Sequence, residues 1–353
     1  METRPWHQNY DPGVPRSLEY PAVPLFHFLE HYARKFPQRP ALIFQPAPAG
    51  FACSRMTYRE LNELTDRLAA ALHALGVRKG DRVLLLMVNC PQFVIAYYAV
   101  LKLGAVVVAT NPLYSPREME HQARDAGARV ALVMSRFYPR FKEIQPRTPV
   151  QTVVVTSIKE YMPPLLRCLF TLARERKTGD RVTPGPGDHA WQDLLRRHRP
   201  EDRPAVDVGP DDLALLQYTG GTTGVPKGAM ALHRNLVANT LQIRAWFVGA
   251  REGEEVVLAA IPLFHVYGMV AALNFGISFG ATLVLLPDPR DLKNLFVAVQ
   301  RHKPGVFPGV PTLYNAINNH PEVQKYDLRS IRACISGSAP LLAETQRRFE
   351  ALT

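Results

Sequence analysis

One stretch of the sequence combines residue types suited to holding an anion: Thr219-Gly220-Gly221-Thr222-Thr223-Gly224-Val225-Pro226-Lys227-Gly228. Glycines let the backbone approach a ligand closely, and consecutive N–H groups in such a loop form a concave nest for negative charge. The threonine hydroxyls add donors and Lys227 adds a point charge, a set suited to a polyphosphate. Leu213-Ala214-Leu215-Leu216 before the loop reads as a buried strand, and His233 to Asn239 after it as a helix. The expected layout is therefore strand, loop, helix, with the positive end of the helix dipole adding to the anion site. Glycine and threonine also build ordinary turns, but a structural turn has no need of this many of both plus a lysine. A Walker A loop needs Gly-Lys-Ser/Thr, whereas Pro226 precedes Lys227 here and Gly228 follows it, so an ordinary P-loop is excluded.

The elements around this loop alternate. Ala41–Phe44, Val83–Met87, Ala105–Ala109, Val130–Val133 and Val150–Val155 are apolar runs of strand length. Helical patterns lie between them: Pro24 to Phe36, Thr57 to about Leu75, Pro91 to Leu103, and Arg117 to Asp125. Thr57 and Glu60 form the spacing of a capping box, and Gly76 marks the stop. Strand and helix alternating at this spacing predict an α/β fold of layered βαβ units with mostly parallel sheets. The expected division is into subdomains of about 1–200 and 201–353. Residues 157–190 break the alternation with a basic insertion, in which Met162 to Lys177 reads as a short amphipathic helix carrying Leu166, Leu169 and Phe170. Such a helix either packs on its own domain or lies on an anionic membrane surface; packing is the reading favoured here. The segment Arg4 to Pro15 reads as an extended, proline-punctuated arm, and Leu328 to Ile335 as a strand.

Composition narrows the partners. The 353 residues carry 42 Lys+Arg against 31 Asp+Glu, a formal charge of +11, which suits acidic small molecules, an anionic membrane or nucleic acid. The basic residues are scattered and no nucleic-acid-binding motif is present, so nucleic acid is not an expected partner. Cys53, Cys90, Cys168 and Cys334 are far apart and fit reduced thiols in a cytoplasmic protein, and no metal-ligand spacing is visible. Val256 to Pro287 lacks Asp, Glu, Lys and Arg over a length that could span a bilayer, but its prolines and glycines favour a strand, a turn, a buried helix and a second strand.

Thr219 to Gly228 resembles the phosphate-binding signature of the AMP-forming acyl-CoA synthetases, the adenylate-forming or AMP-binding superfamily. The segments that follow keep the order of that family. Pro262-Leu263-Phe264-His265-Val266-Tyr267-Gly268 resembles its strand-end motif lining the carboxylate pocket. Lys303 to Tyr314 resembles the segment bordering the acid pocket, although composition alone reads it equally well as strand, turn and helix. Ser336-Gly337-Ser338-Ala339-Pro340-Leu341 resembles the loop passing along adenine.

The resemblance implies a two-step reaction. A carboxylate attacks the α-phosphate of MgATP, giving acyl-adenylate and pyrophosphate; the thiolate of CoA, a substrate, then displaces AMP. It implies that Lys227, Thr219, Thr222 and Thr223 serve catalysis by holding the pyrophosphate. Nucleotide contacts would come from Thr219, Gly220, Gly221, Thr222, Thr223, Gly224 and Lys227, and from Ser336, Gly337, Ser338, Ala339 and Pro340. His265, Tyr267, Met269, Gly309 and Val310 would border the acyl group. The arm, the Pro262–Tyr267 motif and the basic insertion resemble the long-chain fatty acid branch, with a medium-chain or aryl acid ligase, or a non-catalytic nucleotide- or acyl-binding remnant, as alternatives. Motifs that the family carries after the adenine loop, including its C-terminal domain, do not occur in these 353 residues. The expectation is an incomplete N-terminal AMP-binding domain, inactive alone, cytoplasmic or peripheral at the inner face of the membrane.

Overall fold

Runs of Val, Leu and Ala separated by amphipathic helices bury both faces of parallel strands, and the structure follows that pattern. A computed structural model describes residues 4–47, 53–219 and 225–353. The strands are β1 (Pro40–Phe44), β2 (Ser54–Thr57), β3 (Arg82–Leu86), β4 (Val106–Ala109), β5 (Val130–Met134), β6 (Thr152–Thr156), β7 (His189–Ala190), β8 (Leu213–Thr219), β9 (Lys227–Leu232), β10 (Val256–Ala259), β11 (Thr282–Leu285), β12 (Val306–Gly309) and β13 (Ala333–Ser336). Among the described residues, β7-β6-β5-β3-β4-β8-β9 form one sheet and β13-β12-β10-β11-β1-β2 the other. All neighbours are parallel except the edge pairs β8–β9 and β1–β2.

The sheets do not follow a division near residue 200. β1 and β2, from the N-terminal part, complete the sheet of β10–β13, while β8 and β9 complete the sheet of β3–β7. β1 enters beside β11 in parallel register, Leu42 against Leu283 and Phe44 against Leu285. The reason is burial: the fully apolar Ala41–Phe44 needs neighbours on both sides and finds them in β11 and β2.

The core between the sheets holds the helix Pro91–Lys102, every residue of which is buried, against the helix Tyr58–Ala74. Thr57 caps the latter as its spacing predicts: its side chain accepts from Glu60 N at 3.2 Å, and Glu60 Oε2 accepts from Thr57 N at 2.7 Å. Lys102 is buried at the C-terminal end of its helix, with its Nζ 2.8 Å from Asp66 Oδ1. Burial outweighs that partner and holds the ammonium down at about 8. Val256–Pro287 resolves into β10, a turn, a buried helical stretch from Val266 to Ser278 with a π-helical segment at Met269–Asn274, and β11. Among the described residues no helix is long and apolar enough to cross a membrane.

Two other expectations are corrected. Pro5–Asn9 of the arm is a 3₁₀ turn rather than extended chain, with proline at its start, and Tyr10 packs on Trp246 at 5.0 Å between ring centroids. Leu328 to Arg332 is a turn that delivers the chain to β13: Ile331 N bonds Leu328 O, and Arg332 pairs with Glu255 at 2.5 Å.

His233, the first residue of the helix His233–Trp246, has a fully buried side chain whose Nδ1 accepts from Leu25 N at 3.1 Å. Burial pulls its pKa from 6.5 down to about 4. The unfolded chain therefore takes up the proton first as pH falls. The stability that this neutral imidazole contributes is complete above about pH 6.5 and lost toward pH 4, by up to about 3 kcal/mol for a shift of this size. Thermal melts between pH 7 and 4.5 should show this decline, and His233→Gln should flatten it; an identical slope in the variant would assign the decline to other groups.

Candidate functional site

The glycine-threonine loop is not the link between a strand and a helix. β8 and β9 form an antiparallel hairpin with Leu216 opposite Met230, Tyr218 opposite Gly228 and Thr219 opposite Lys227. The helix begins only at His233, so its positive end does not face the loop, and the expected dipole contribution is withdrawn. β9 escaped the sequence reading because Lys-Gly-Ala-Met-Ala-Leu is half exposed and belongs to an edge strand, without an apolar run. Gly220, Gly221, Thr222, Thr223 and Gly224 lie outside the described residues. The hairpin carries Thr219 and Lys227 as cross-strand neighbours, both solvent-exposed.

Neighbouring groups fix this hairpin. The Tyr218 hydroxyl donates to Asp125 at 2.5 Å, and His121 Nε2 lies 2.9 Å from the Pro226 carbonyl oxygen, both partners coming from the helix Pro116–Ala126. A carbonyl only accepts, so Nε2 of His121 carries the proton. Burial, then Asp125, raises the Tyr218 phenol well above its ordinary range, so it remains a donor. Gly228 admits the Tyr218 ring: a Cβ there would stand 3.0 Å from the ring.

The other motifs converge on the rim of the second sheet. The chain leaves β10 through Pro262 and turns at His265, which caps the next helical turn by accepting from Tyr267 N at 3.2 Å through Nδ1. Partial burial lowers the His265 pKa below the usual histidine range, so the ring is neutral at pH 7. Tyr267 reaches across to the loops after β12 and β13. Its hydroxyl lies 2.6 Å from Ile335 O and 3.0 Å from Gly309 O, and burial pushes its pKa to about 12. Its ring lies on Gly337, where a Cβ would sit 2.7 Å from ring carbons. Tyr314 repeats the device from the next helix, with its hydroxyl 2.8 Å from Phe307 O and 3.1 Å from Ile335 O. Ser338 adopts φ +70, unusual for a residue with a side chain, and the Ser336 hydroxyl is buried without a partner among the described residues.

Gly309, Ser336, Gly337, Tyr267 and His265 are thus brought together, with Val310, Ser338, Ala339 and Pro340 on the same loops. Met269 is different. It is fully buried in the core beside Val270 and Leu273, one turn beyond Tyr267, and lies behind the rim rather than on it. Gln217 links hairpin and rim, with its Nε2 3.4 Å from Phe264 O. Among the described residues no group of three or more His, Cys, Asp or Glu could hold a metal ion.

Beside the same turn lies a cavity of ≈ 770 Å³. Pro262 and Phe264 form one wall, Phe137 and Ile158 another, and Leu166 and Phe170 of the helix Pro164–Ala173 roof it. This helix packs Leu166 and Phe170 inward and leaves Leu165, Leu169 and Leu172 exposed, at 63%, 51% and 81%. The apolar stripe read from sequence, Leu166, Leu169 and Phe170, lines the cavity together, with Leu169 at its open margin.

The geometry sets the comparisons in context. Residues 29–353 match the model of the AMP-binding enzyme family. The long-chain-fatty-acid–CoA ligase of Bacillus subtilis (strain 168) is 38% identical over 353 residues, covering 99% of this chain and 61% of the relative. The crystal structure of a long-chain-fatty-acid–CoA ligase from Archaeoglobus fulgidus superposes with a TM-score of 0.77 at 27% identity, covering 97% of this chain and 63% of that one. ATP-bound MatB from Rhodopseudomonas palustris gives a TM-score of 0.72 at 26% identity, over 92% of this chain and 58% of the other. A mixed α/β fold with two mostly parallel sheets is the architecture of the N-terminal domain of adenylate-forming enzymes. The chain belongs to the AMP-binding enzyme family, and it spans about three-fifths of the length of the curated relatives it matches.

Substitution of Gly337 tests the rim. Gly337→Ala would force the Tyr267 ring away and with it the two carbonyl contacts, an overpacking cost of about 1–3 kcal/mol. A lowered melting temperature, with nucleotide affinity reduced in step, is the expected result in thermal denaturation and calorimetric titration. An unchanged melt would mean that the loop yields without loss.

Proposed function

We propose that this chain forms the nucleotide- and acid-binding part of an ATP-dependent fatty acid–CoA ligase of the long-chain branch. The observation that carries the proposal is the convergence of four motifs: β8 with its hairpin, the Pro262–Gly268 turn, Gly309, and the loop after β13, tied by Gln217, Tyr267 and Tyr314. In the proposed reaction Lys227 and Thr219, with Thr222 and Thr223, hold the β- and γ-phosphates as they leave. Catalysis is then positioning and charge neutralisation. Gly220, Gly221 and Gly224 let the backbone close on the phosphates, and Ser336 to Pro340 pass along the adenine. Magnesium would arrive with ATP, held mainly by phosphate oxygens and water, as is usual for this ion.

His265, neutral and half-buried, offers Nε2 to the substrate carboxylate, while Tyr267, Gly309 and Val310 shape the space around it. The adjoining apolar cavity, in the size range of small-molecule sites at roughly 300–1,000 Å³, leaves room for a chain-like substrate to reach that turn. A fatty acyl chain and the pantetheine arm of CoA both need such room. Similarity to long-chain-fatty-acid–CoA ligases favours a fatty acid over an aryl acid.

A non-hydrolysable acyl-adenylate analogue tests this directly on the 353-residue chain. A lauroyl analogue should bind about tenfold more tightly than a benzoyl one, and Lys227→Ala, which removes a charged contact, should weaken ATP binding roughly ten- to hundredfold. Absence of binding to ATP and to every analogue would refute the proposal.

The second part of the reading is peripheral contact with an anionic membrane at the cytoplasmic face. Leu165, Leu169 and Leu172 form an exposed ridge, flanked by Arg167, Arg174, Arg176 and Lys177, all exposed. Co-sedimentation with phosphatidylglycerol vesicles should be strong at low salt and lost when the three leucines become glutamine. Equal sedimentation of that variant would rule the ridge out as the contact.

A further inference from the structure

His265 has no side-chain partner outside its own turn among the described residues; its one contact, from Tyr267 N, is local. The ring is therefore placed by the backbone of Pro262–Tyr267. What places that backbone is a side chain from the other sheet. Asn89 follows the end of β3 and is 3% exposed. Its Nδ2 donates to Ala259 O at 3.1 Å and to Ile261 O at 2.8 Å, while its Oδ1 accepts from Leu263 N at 2.8 Å. One amide thus satisfies three backbone groups at alternate positions along the chain leaving β10. It does so across a sequence separation of 170 to 174 residues. Gln217 adds a weaker tether from β8, through the Phe264 carbonyl at 3.4 Å. The close seat of Gly268, where a Cβ would fall 2.2 Å from Pro262 O, leaves the turn little freedom of its own.

We propose that Asn89 is a positioning residue for acid activation: it locks the His265 turn of one sheet to the sheet that carries the phosphate hairpin, and so sets the approach of the carboxylate to the nucleotide. The inference rests on the fatty acid ligase reading. The chemistry of the site selects asparagine. An aspartate would set a second oxygen against two carbonyl oxygens, and a glutamine would push the turn outward by a methylene. An alanine would leave the Ile261 carbonyl and the Leu263 N–H without partners in a buried place, and the Ala259 carbonyl with Leu286 N alone, at 3.3 Å.

The test compares the full chain with Asn89→Ala and Asn89→Ser, using only variants whose melting curves show a folded protein. ATP and the lauroyl-adenylate analogue are titrated separately, and the His265 ring resonance is followed by NMR. Positioning predicts that the analogue binds about tenfold more weakly while ATP binding stays within about twofold, and that the His265 resonance shifts or broadens. The serine variant, which keeps one donor and one acceptor, should lose less than alanine. Equal weakening of both ligands would mark Asn89 as merely structural, and unchanged analogue binding with an unchanged His265 resonance would equally overturn the proposal. Should the analogue fail to bind the unsubstituted chain, the ligase reading falls, while the His265 resonance still decides whether Asn89 holds the turn.

Discussion

The rim depends on a phenol shared between two carbonyls. Tyr267 has one hydroxyl proton, and Ile335 O at 2.6 Å is better placed to receive it than Gly309 O at 3.0 Å. Those oxygens belong to the ends of β13 and β12, where Gly309 O also accepts from Gly337 N at 3.2 Å and the phenol adds the tie between the two ends. Tyr314 adds a further tie from the opposite side through Phe307 O. Because burial keeps both phenols protonated throughout the ordinary pH range, the ties do not titrate away. Rigidity at the rim thus comes from neutral hydrogen bonds.

The phosphate hairpin is built on different terms. Since the helix begins only at His233, a polyphosphate held as proposed would be compensated by Lys227, by hydroxyls and by backbone N–H groups. A hairpin places a cation and a hydroxyl directly across from one another, since paired residues on one face stand about 5 Å apart. Thr219 and Lys227 have that relation. The buttress from Asp125 and His121 acts on the stems at Tyr218 and Pro226 rather than on the tip. The stems are therefore fixed while Thr219 and Lys227 stay exposed.

Much of this was legible in the sequence, for identifiable reasons. The strands β3 to β6 announce themselves because parallel strands covered on both faces must be apolar throughout. Thr57 and Glu60 form their capping box because that signal is local. The hairpin was misread because β9 is a half-exposed edge strand, and edge strands carry no such pattern. Sheet membership was also out of reach: nothing within Pro40–Phe44 specifies β11, some 240 residues later, as its neighbour. Of the residues named for the acyl site, His265 and Tyr267 stand at the rim, but Met269 belongs to the core, because the helix turns inward directly after Gly268. Asn89 and Gln217 gave a weaker signal, that of a polar amide at the end of an apolar strand.

That signal has a general physical basis. Where two sheets end at a common rim, each strand leaves unpaired carbonyls and N–H groups pointing toward the other, and water is excluded from the seam. A buried charge could satisfy only one kind of group and would carry a large desolvation cost. An amide offers two donors and an acceptor without charge, so it can serve both kinds at once. Asn89 does this for Ala259, Ile261 and Leu263. The two sheets are consequently joined by uncharged, geometrically exacting contacts. A joint of this kind holds its spacing at any ordinary pH, because neither the Asn89 amide nor the backbone groups it meets carries a charge to gain or lose.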